Sequence, residues 1–265
     1  MLKDITIGQY LPGNSVIHRI DPRTKIGILM LFIVTLFTVN SFAGYLLCAL
    51  FVIAINKMAS IPFKMIVKSL KPIFIFLIFT AVINLFMTSG KIVFSWGIIK
   101  ITEEGIILTL KMLFRLVFLI AGTSVLTYTT SPIVLTDGIE NLLKPIEKIK
   151  VPAHEIAMMM TIALRFIPTI IEETDKIMKA QSARGSDFES GNILQRAKAL
   201  VPILVPLFIS SFRRADDLAV AMECRCYRGG ENRTKMRRLK MTKEDLSAWT
   251  LCVLLFAAAV IFNFI

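Results

Sequence analysis

The sequence of 265 residues has little that a catalytic site requires. Its two histidines, His18 and His154, lie far apart and belong to no HExxH motif or catalytic triad pattern. It has no G-x-x-x-x-G-K-S/T loop, since Gly90-Lys91 is its only Gly-Lys pair, and it has no nucleophile elbow. We therefore expect no catalytic residues and no cofactor, so any ATP that drives this protein must be hydrolysed by another chain.

Cysteine is also scarce, and the four cysteines are poorly placed for a disulfide or a metal site. Cys48 and Cys252 lie in apolar runs, whereas Cys224 and Cys226 are too close in sequence to constrain a fold. The Cys224-x-Cys226 pair has no second pair of ligands of the kind that a structural zinc site uses. The sequence thus predicts no disulfide framework and no metal site.

Polar residues are too few to coat a soluble body of this size. Apolar residues make up 55% of the chain, and the mean hydropathy is +0.69. This composition indicates an integral membrane protein. The net charge of +12, from 31 basic and 19 acidic residues, indicates cytoplasmic loops or an acidic partner rather than nucleic acid. We predict an all-α, polytopic membrane protein.

Four apolar runs predict about five membrane spans, because Asn40, Ser41 and Gly44 interrupt the first run and favour a hairpin. The runs are Ile26–Ile55, Pro72–Thr88, Ile106–Leu126 and Ala248–Ile265. Basic residues flank the first run on both sides, whereas the loop at 88–105 is neutral. The polar start of the chain does not look like a cleavable signal peptide. We therefore expect a cytoplasmic N-terminus and an extracellular loop and C-terminus.

Two basic residues, Lys111 and Arg115, lie within the predicted span Ile106–Leu126. They could extend towards the outer interface or pair with Glu103 or Glu104. Alternatively, they could form an intramembrane charge that faces a partner subunit. The sequence alone leaves both interpretations open.

The middle of the chain differs in character from the spans. Thr136–Lys150 has the pattern of an amphipathic helix, and Ala153–Ala183 and Gln195–Cys224 predict two long helices that Pro168, Pro202 and Pro206 should kink without ending. We predict four spans in residues 1–130, a cytoplasmic coupling domain in 131–243 and a last span in 244–265.

The two long helices end in similar short motifs, Ala183-Arg184-Gly185 and Cys224-Arg225-Cys226. Gly185 suits the left-handed residue that commonly ends a helix. An arginine on a helix tip with small neighbours can enter a groove and reach carboxylates there. Each tip could equally be a solvated basic helix end, but two matching tips favour a device that docks at two sites.

Three segments resemble the transmembrane (T) component of energy-coupling factor transporters, the CbiQ/EcfT family. The opening Gly8-Gln9-Tyr10, Ser15 and His18-Arg19-Ile20-Asp21-Pro22-Arg23-Thr24-Lys25 resembles that family's N-terminal signature. Gln181–Phe188 and Ala221–Gly229 resemble its first and second Ala-Arg-Gly motifs. In the second motif Cys224 and Cys226 replace the family's Ala and Gly, which puts the geometry of that helix end in question.

The resemblance implies a scaffold in the cell membrane of a prokaryote rather than an enzyme. Its partners would be two cytoplasmic ABC-type ATPases of the EcfA and EcfA′ type, one membrane-embedded substrate-binding S component and the membrane lipids. Arg184 and Arg225, with their neighbours Ala183, Gly185, Cys224 and Cys226, would couple to the ATPases. Asp21, Pro22 and Arg23 would form a structural anchor before the first span.

Three other functions compete with a shared vitamin or micronutrient importer. The first is a T component dedicated to one S component for cobalt, nickel or biotin, which the sequence does not separate from a shared one. The second is a stand-alone secondary transporter, which would need repeated spans and midplane ionisable groups. The third, a membrane-embedded enzyme, lacks a catalytic constellation.

Overall fold

The structure is a computed structural model that describes residues 10–96, 99–145, 152–186, 188, 192–229 and 239–264. The described chain is almost entirely helical, which confirms the predicted all-α class. The helices are α1 Val16–Arg19, α2 Pro22–Thr38, α3 Phe42–Met58, α4 Phe63–Leu70, α5 Phe74–Met87, α6 Glu103–Thr129, α7 Pro132–Leu143, α8 Ala153–Ala183, α9 Ile193–Cys224 and α10 Lys243–Phe264. Gly8-Gln9 of the N-terminal signature, residues 146–150 of the predicted amphipathic helix and Ile265 lie outside the described residues.

The chain divides into two compact units. The first, here called the bundle unit, comprises Gly8–Gly138 and Arg238–Ile265. The second, here called the arginine unit, comprises Met1–Ile7 and Ile139–Arg237. The bundle unit contains the apolar helices α2, α3, α5, α6 and α10, whereas the arginine unit contains α8 and α9.

The core of the bundle unit lies where α2, α3, α6 and α10 meet. Its buried residues are Phe32, Leu36, Val39, Tyr45, Cys48, Phe51, Val52, Ala121, Cys252, Leu255 and Ala259. The rings of Phe32 and Phe51 join α2 to α3 with centroids 5.6 Å apart. Small residues on α6 and α10, such as Ala121 and Ala259, allow close helix packing of the kind that membrane bundles use.

The predicted hairpin at 26–55 is present as two helices, α2 and α3, of 17 residues each. Asp21 caps the start of α2 with Pro22 in its first turn, and Ser41 caps the start of α3 by accepting from the Gly44 amide at 3.2 Å. The helical structure is interrupted at 39–41, as the polar pair Asn40-Ser41 indicates. The local pattern of caps and breakers therefore decides both helix starts.

The next span starts earlier than the sequence indicated. Pro72 does not begin the helix; it lies in a 3₁₀ turn, Lys71–Ile73, that joins α4 to α5 without a break. Proline has no amide to donate, and the 3₁₀ turn accommodates the missing donor within the continuous helical segment. The following loop holds a two-stranded antiparallel hairpin, Ile92–Trp96 with Ile99–Thr102, which the sequence analysis did not predict although its β-branched alternation favours strands.

Five helical segments of the described chain are long and apolar enough to cross a membrane. They are Phe63–Met87, Glu103–Thr129, Ala153–Ala183, Leu194–Cys224 and Lys243–Asn263. The number of candidate spans agrees with the predicted number of about five, but the helices that make up the two sets differ. Length and composition select α8 and α9 and pass over the 17-residue helices α2 and α3.

Arg115 has a partner that neither sequence interpretation named. Its Nε and Nη2 donate to the carbonyls of Leu36 and Val39 at 3.1 and 3.3 Å, where α2 ends, and its guanidinium lies over the Phe37 ring at 5.4 Å. Lys111 lies over the ring of Phe42 at 5.7 Å. Arg115 therefore satisfies carbonyls at the end of α2, where carbonyls without an intrahelical partner would be costly in lipid.

The glutamates that were considered as partners contact the loop between α5 and α6 instead. The Glu104 carboxylate accepts from the Lys91 amide at 2.7 Å, and the Glu103 amide donates to the Lys91 carbonyl at 2.9 Å. Asn263 completes the turn between α2 and α3 by accepting from the Asn40 and Ser41 amides at 2.8 and 3.2 Å. The pairing of Arg115 with either glutamate is thus not observed.

Candidate functional site: two arginine helix ends

The helices α8 and α9 run in opposite directions where they pack against each other. The Glu173 carboxylate on α8 accepts from the Ser210 hydroxyl and, at 2.6 Å, from Arg214 Nη2. Nearer the end of α8, the Gln181 side chain donates to the Pro202 carbonyl at 3.4 Å. Moving towards the end of α8 therefore means moving towards the start of α9.

This antiparallel packing places the two arginine motifs at opposite ends of the helix pair. Arg184 directly follows α8, level with the first third of α9, whereas Arg225 directly follows the last turn of α9. At 1.5 Å per residue, about 35 Å of α9 separate the level of Pro202 from Arg225. The sequence analysis did not predict this orientation, because it depends on which residues of the two helices meet.

The prolines lie inside the two helices and do not end them, as predicted. Pro168 is within α8, and Pro202 and Pro206 are within α9. Pro206 has no amide to donate to the Pro202 carbonyl, and that carbonyl accepts instead from Gln181. The irregular part of α9 is thus stabilised by α8 immediately before the first arginine motif.

The first motif ends α8 in a Schellman geometry. Gly185 has a φ of +90°, and its amide donates to the Ser182 carbonyl at 3.0 Å, while the Ser186 amide donates to the Gln181 carbonyl at 3.0 Å. A residue with Cβ is disfavoured at this φ, so glycine is the expected residue here. The predicted role of Gly185 as a left-handed cap is therefore confirmed, and Arg184 is exposed at the turn.

The second motif has the same geometry although it has no glycine. Cys226 has a φ of +56°, its amide donates to the Glu223 carbonyl at 2.8 Å, and the Tyr227 amide donates to the Met222 carbonyl at 3.0 Å. Arg225 is exposed at the turn, as Arg184 is in the first motif. The left-handed conformation of a residue with Cβ costs roughly 1–2 kcal/mol, so the cap is kept under strain.

Among the described residues, only the second motif is connected to a buried carboxylate through side-chain contacts. The Tyr227 hydroxyl lies 3.4 Å from His154 Nε2 at the start of α8, and His154 Nδ1 lies 3.3 Å from the buried Glu140 carboxylate on α7. In the sequence, His154 belongs to no catalytic pattern. The one sequence signal for this contact is the tyrosine, because the first motif has Ser186 at the matching position.

The side chains of both motifs are available to a partner. Arg184 and Arg225 are exposed, and within the described part of the chain neither guanidinium forms an ion pair. Cys224 and Cys226 are exposed free thiols. In the described residues no group of three or more His, Cys, Asp and Glu side chains could hold a metal ion. The groups that a partner can contact are therefore two planar guanidinium cations, which suit carboxylates and phosphates.

Asp21, Pro22 and Arg23 lie together in the bundle unit, at the start of α2. The Asp21 Oδ1 atom accepts from the Arg23 amide at 3.0 Å, and the Asp21 amide donates to Asp245 Oδ1 on α10 at 2.7 Å. Arg23 Nη2 donates to the Leu239 carbonyl at 3.2 Å. These contacts connect the start of α2 to the start of α10.

Lys25 extends these contacts to a third helix, and the sequence analysis did not single it out. Its Nζ donates to the Thr129 carbonyl and the Thr130 hydroxyl, both at 3.0 Å, at the end of α6. Lys25 and Asp245 are both buried. Nothing in the local sequence distinguishes Asp245 from an ordinary acidic residue in the first turn of a helix, so it could not be found before the fold was known.

Comparison with known proteins identifies a matching family and several similar proteins. The CbiQ family, described as "Cobalt transport protein", matches residues 13–236. A protein of Thermosediminibacter oceani is 58% identical over 264 residues, which cover 100% of both chains. Proteins of Clostridium kluyveri and Bacillus subtilis are 61% and 49% identical, covering 96% and 97% of this chain and 94% and 97% of theirs. All three relatives are named "Energy-coupling factor transporter transmembrane protein EcfT".

Proposed function

The chain belongs to the CbiQ family as the transmembrane component of an energy-coupling factor transporter, and we propose that it couples ATP hydrolysis by two partner ATPases to movement of a substrate-binding membrane subunit. It is itself a non-catalytic membrane subunit. The hydrolysis of ATP and the binding of substrate belong to the partner chains.

The observation that carries this proposal is the pair of exposed arginine tips at opposite ends of α8 and α9. Two tips with the same backbone geometry suit two partners of related structure, one at each end. Because about 35 Å of α9 separate the two levels, a single small groove could not hold both tips. Motion of the two ATPases towards each other would therefore act on α8 and α9 from both ends.

The positive charge of the two arginine tips supports acidic grooves of the ATPases as their docking sites. Each guanidinium lies where a helix ends, with small neighbours such as Ala183 and Cys224 that permit close approach. A guanidinium that loses its water to a carboxylate of the partner forms a strong, directional contact. We propose that Arg184 enters one ATPase and Arg225 the other.

We place the arginine unit in the cytoplasm, although α8 and α9 are long and apolar enough to span. Both helices carry charged residues outside their apolar windows, including the Glu173–Arg214 pair. The exposed apolar side chains of α9 would face the bilayer surface or the substrate-binding subunit; they include Leu204, Val205, Phe208, Ile209 and Phe212. The proposed domains are residues 1–130, 131–243 and 244–265, with the spans in the first and last.

This topology has a labelling test. Ser95→Cys, on the first strand of the loop between α5 and α6, should react from outside intact cells with a membrane-impermeant maleimide. The native thiols Cys224 and Cys226 provide the internal reference, because they should react only after the membrane is permeabilised. Reaction of Ser95→Cys only after permeabilisation would overturn the orientation.

The test of the coupling function is the double variant Arg184→Ala with Arg225→Ala. Each substitution should cost roughly 2–5 kcal/mol of docking energy, because the acidic group of the partner is left unpaired. Both substrate uptake and co-purification of ATPases should be lost at matched expression. Arg196→Ala, at an exposed arginine in the first turn of α9, is the control and should retain both. Uptake at the wild-type level in the double variant would refute the proposal.

A dedicated cobalt importer is the second candidate. The family description names cobalt, whereas the names of the relatives mention no substrate. The small membrane proteins that co-purify with the chain distinguish the two candidates. Several different substrate-binding subunits would support a shared component, and one cobalt-binding subunit would support a dedicated one.

A further inference from the structure

A cavity of about 230 Å³ lies within the bundle unit, between α2, α3, α6 and α10. Three of these helices contribute residues at i, i+3, i+4 and i+7, so each wall runs about 10 Å along its helix. Phe32 and Phe51 line one end and Lys25, Thr129 and Glu244 the other. The cavity is thus apolar along its length and polar only where α2 and α10 begin.

Its lining does not suit water or a small charged solute. A buried water needs two to four polar partners, whereas cavities with such apolar lining stay dry and take up apolar molecules. The Lys25 ammonium directs its protons to Thr129, Thr130 and, at 3.5 Å, the His18 carbonyl, so it has none left for a ligand. The occupant should therefore be a hydrocarbon.

The cavity opens on the side of the bundle. Met58 and Leu251 both line it and are 55% and 56% exposed. Glu244 stands at its polar end, and within the described residues its carboxylate forms no ion pair. A carboxylate at the mouth of a hydrocarbon-filled cavity is complementary to a headgroup that carries an ammonium.

We infer that this cavity binds the headgroup-proximal part of one acyl chain of phosphatidylethanolamine, with the ammonium of the headgroup next to Glu244. The bilayer surrounds a membrane bundle with phospholipid, and the bound part of the chain would fill the space that remains between the four helices. The inference depends on the bundle being membrane-embedded and not on docking of the ATPases.

The test fills the cavity with a larger side chain and measures how many phospholipids the transporter retains. The assembled transporter is purified from membranes, washed extensively with detergent, and its retained phospholipids are extracted and quantified by mass spectrometry. The wild-type chain should retain about one phosphatidylethanolamine, and Ala248→Phe, which fills the cavity, should lose most of it. Ala257→Phe, at an exposed alanine of the same helix outside the lining, is the matched control and should retain the lipid.

Two further variants complete the test. Ser247→Leu narrows the mouth instead and provides a second cavity variant if Ala248→Phe does not fold. Glu244→Gln should keep a bound phospholipid but lose the preference for phosphatidylethanolamine over phosphatidylglycerol in mixed vesicles. Equal retention by Ala248→Phe and Ala257→Phe, no stoichiometric lipid in the wild type, or no headgroup preference in the wild type overturns the assignment.

Discussion

The two arginine tips share one backbone geometry and differ in the residues that produce it. The first tip uses Gly185 at the left-handed position and the second uses Cys226, yet the hydrogen bonds that close the two helix ends are equivalent. The geometry therefore follows from the need to satisfy the last carbonyls of the helix. Glycine lowers the free-energy cost of this geometry but is not required for it.

The tips differ more in how they are held. Next to the first tip, Gln181 binds the carbonyl that Pro206 leaves free in α9. The second tip reaches the start of α8 and the buried Glu140 through Tyr227 and His154. Among the described residues, the strained second cap has a side-chain anchor of this kind and the unstrained first cap has none. Variants can test whether the two tips are functionally equivalent.

The largest effect should come from removing one arginine at a time. Arg184→Ala and Arg225→Ala should each weaken retention of one ATPase by roughly 2–5 kcal/mol and leave the other docked. Arg→Lys should rescue only in part, because lysine lacks the planar fork. Quantification of both ATPases in pull-downs, with the thermal stability of the bundle as control, measures this. Loss of the same ATPase in both single variants would contradict one tip per partner.

Gly185→Val should have the next largest effect. A β-branched residue at a φ of +90° should cost about 1–2 kcal/mol and distort the first tip, although no atom lies within 4 Å of the added Cβ. Ala180→Val, at an exposed alanine one turn before the tip, is the control and should cost only a few tenths of a kcal/mol. Surface plasmon resonance with purified ATPases compares the two variants, and equal binding by both would mean that cap geometry does not matter for docking.

Tyr227→Phe should affect the second tip by a smaller amount. Removing a hydroxyl that contacts His154 should cost about 0.5–1.5 kcal/mol of local stability. Hydrogen exchange of the amides at 222–227 should speed up, while exchange at 181–186 stays unchanged. A double-mutant cycle with His154→Ala isolates the contact. Additive effects of the two substitutions would show that this contact does not anchor the tip.

Cys226→Gly should produce the smallest change, and in the opposite direction. Relief of the left-handed strain is partly cancelled by the greater backbone entropy of glycine in the unfolded chain, leaving a gain below about 1 kcal/mol. Exchange at 226–227 should slow and docking should be kept. Faster exchange in Cys226→Gly than in the wild type would show that the thiol itself stabilises the cap.

Much of the local structure was predictable from the sequence. The bounds of α8 agree to the residue, α9 begins two residues before its predicted start, and the break at 39–41 follows from Asn40-Ser41. The hairpin after α5 was not predicted, although its alternating β-branched residues favour strands. The helices that length and composition select as spans also differ from the predicted set, because these criteria include α8 and α9 and pass over the 17-residue helices α2 and α3.

The sequence by itself determined the membrane class, the helices and the two arginine ends, because hydropathy, caps and prolines act over one or two helical turns. The tertiary structure decided the opposite placement of the two tips, the partner of Arg115 and the junction of Lys25 and Asp245 with three helices. The contacts that decide these features join residues that are about 20 to more than 200 positions apart. Such pairs are selected by packing and by the need to satisfy buried polar groups, which no local pattern encodes.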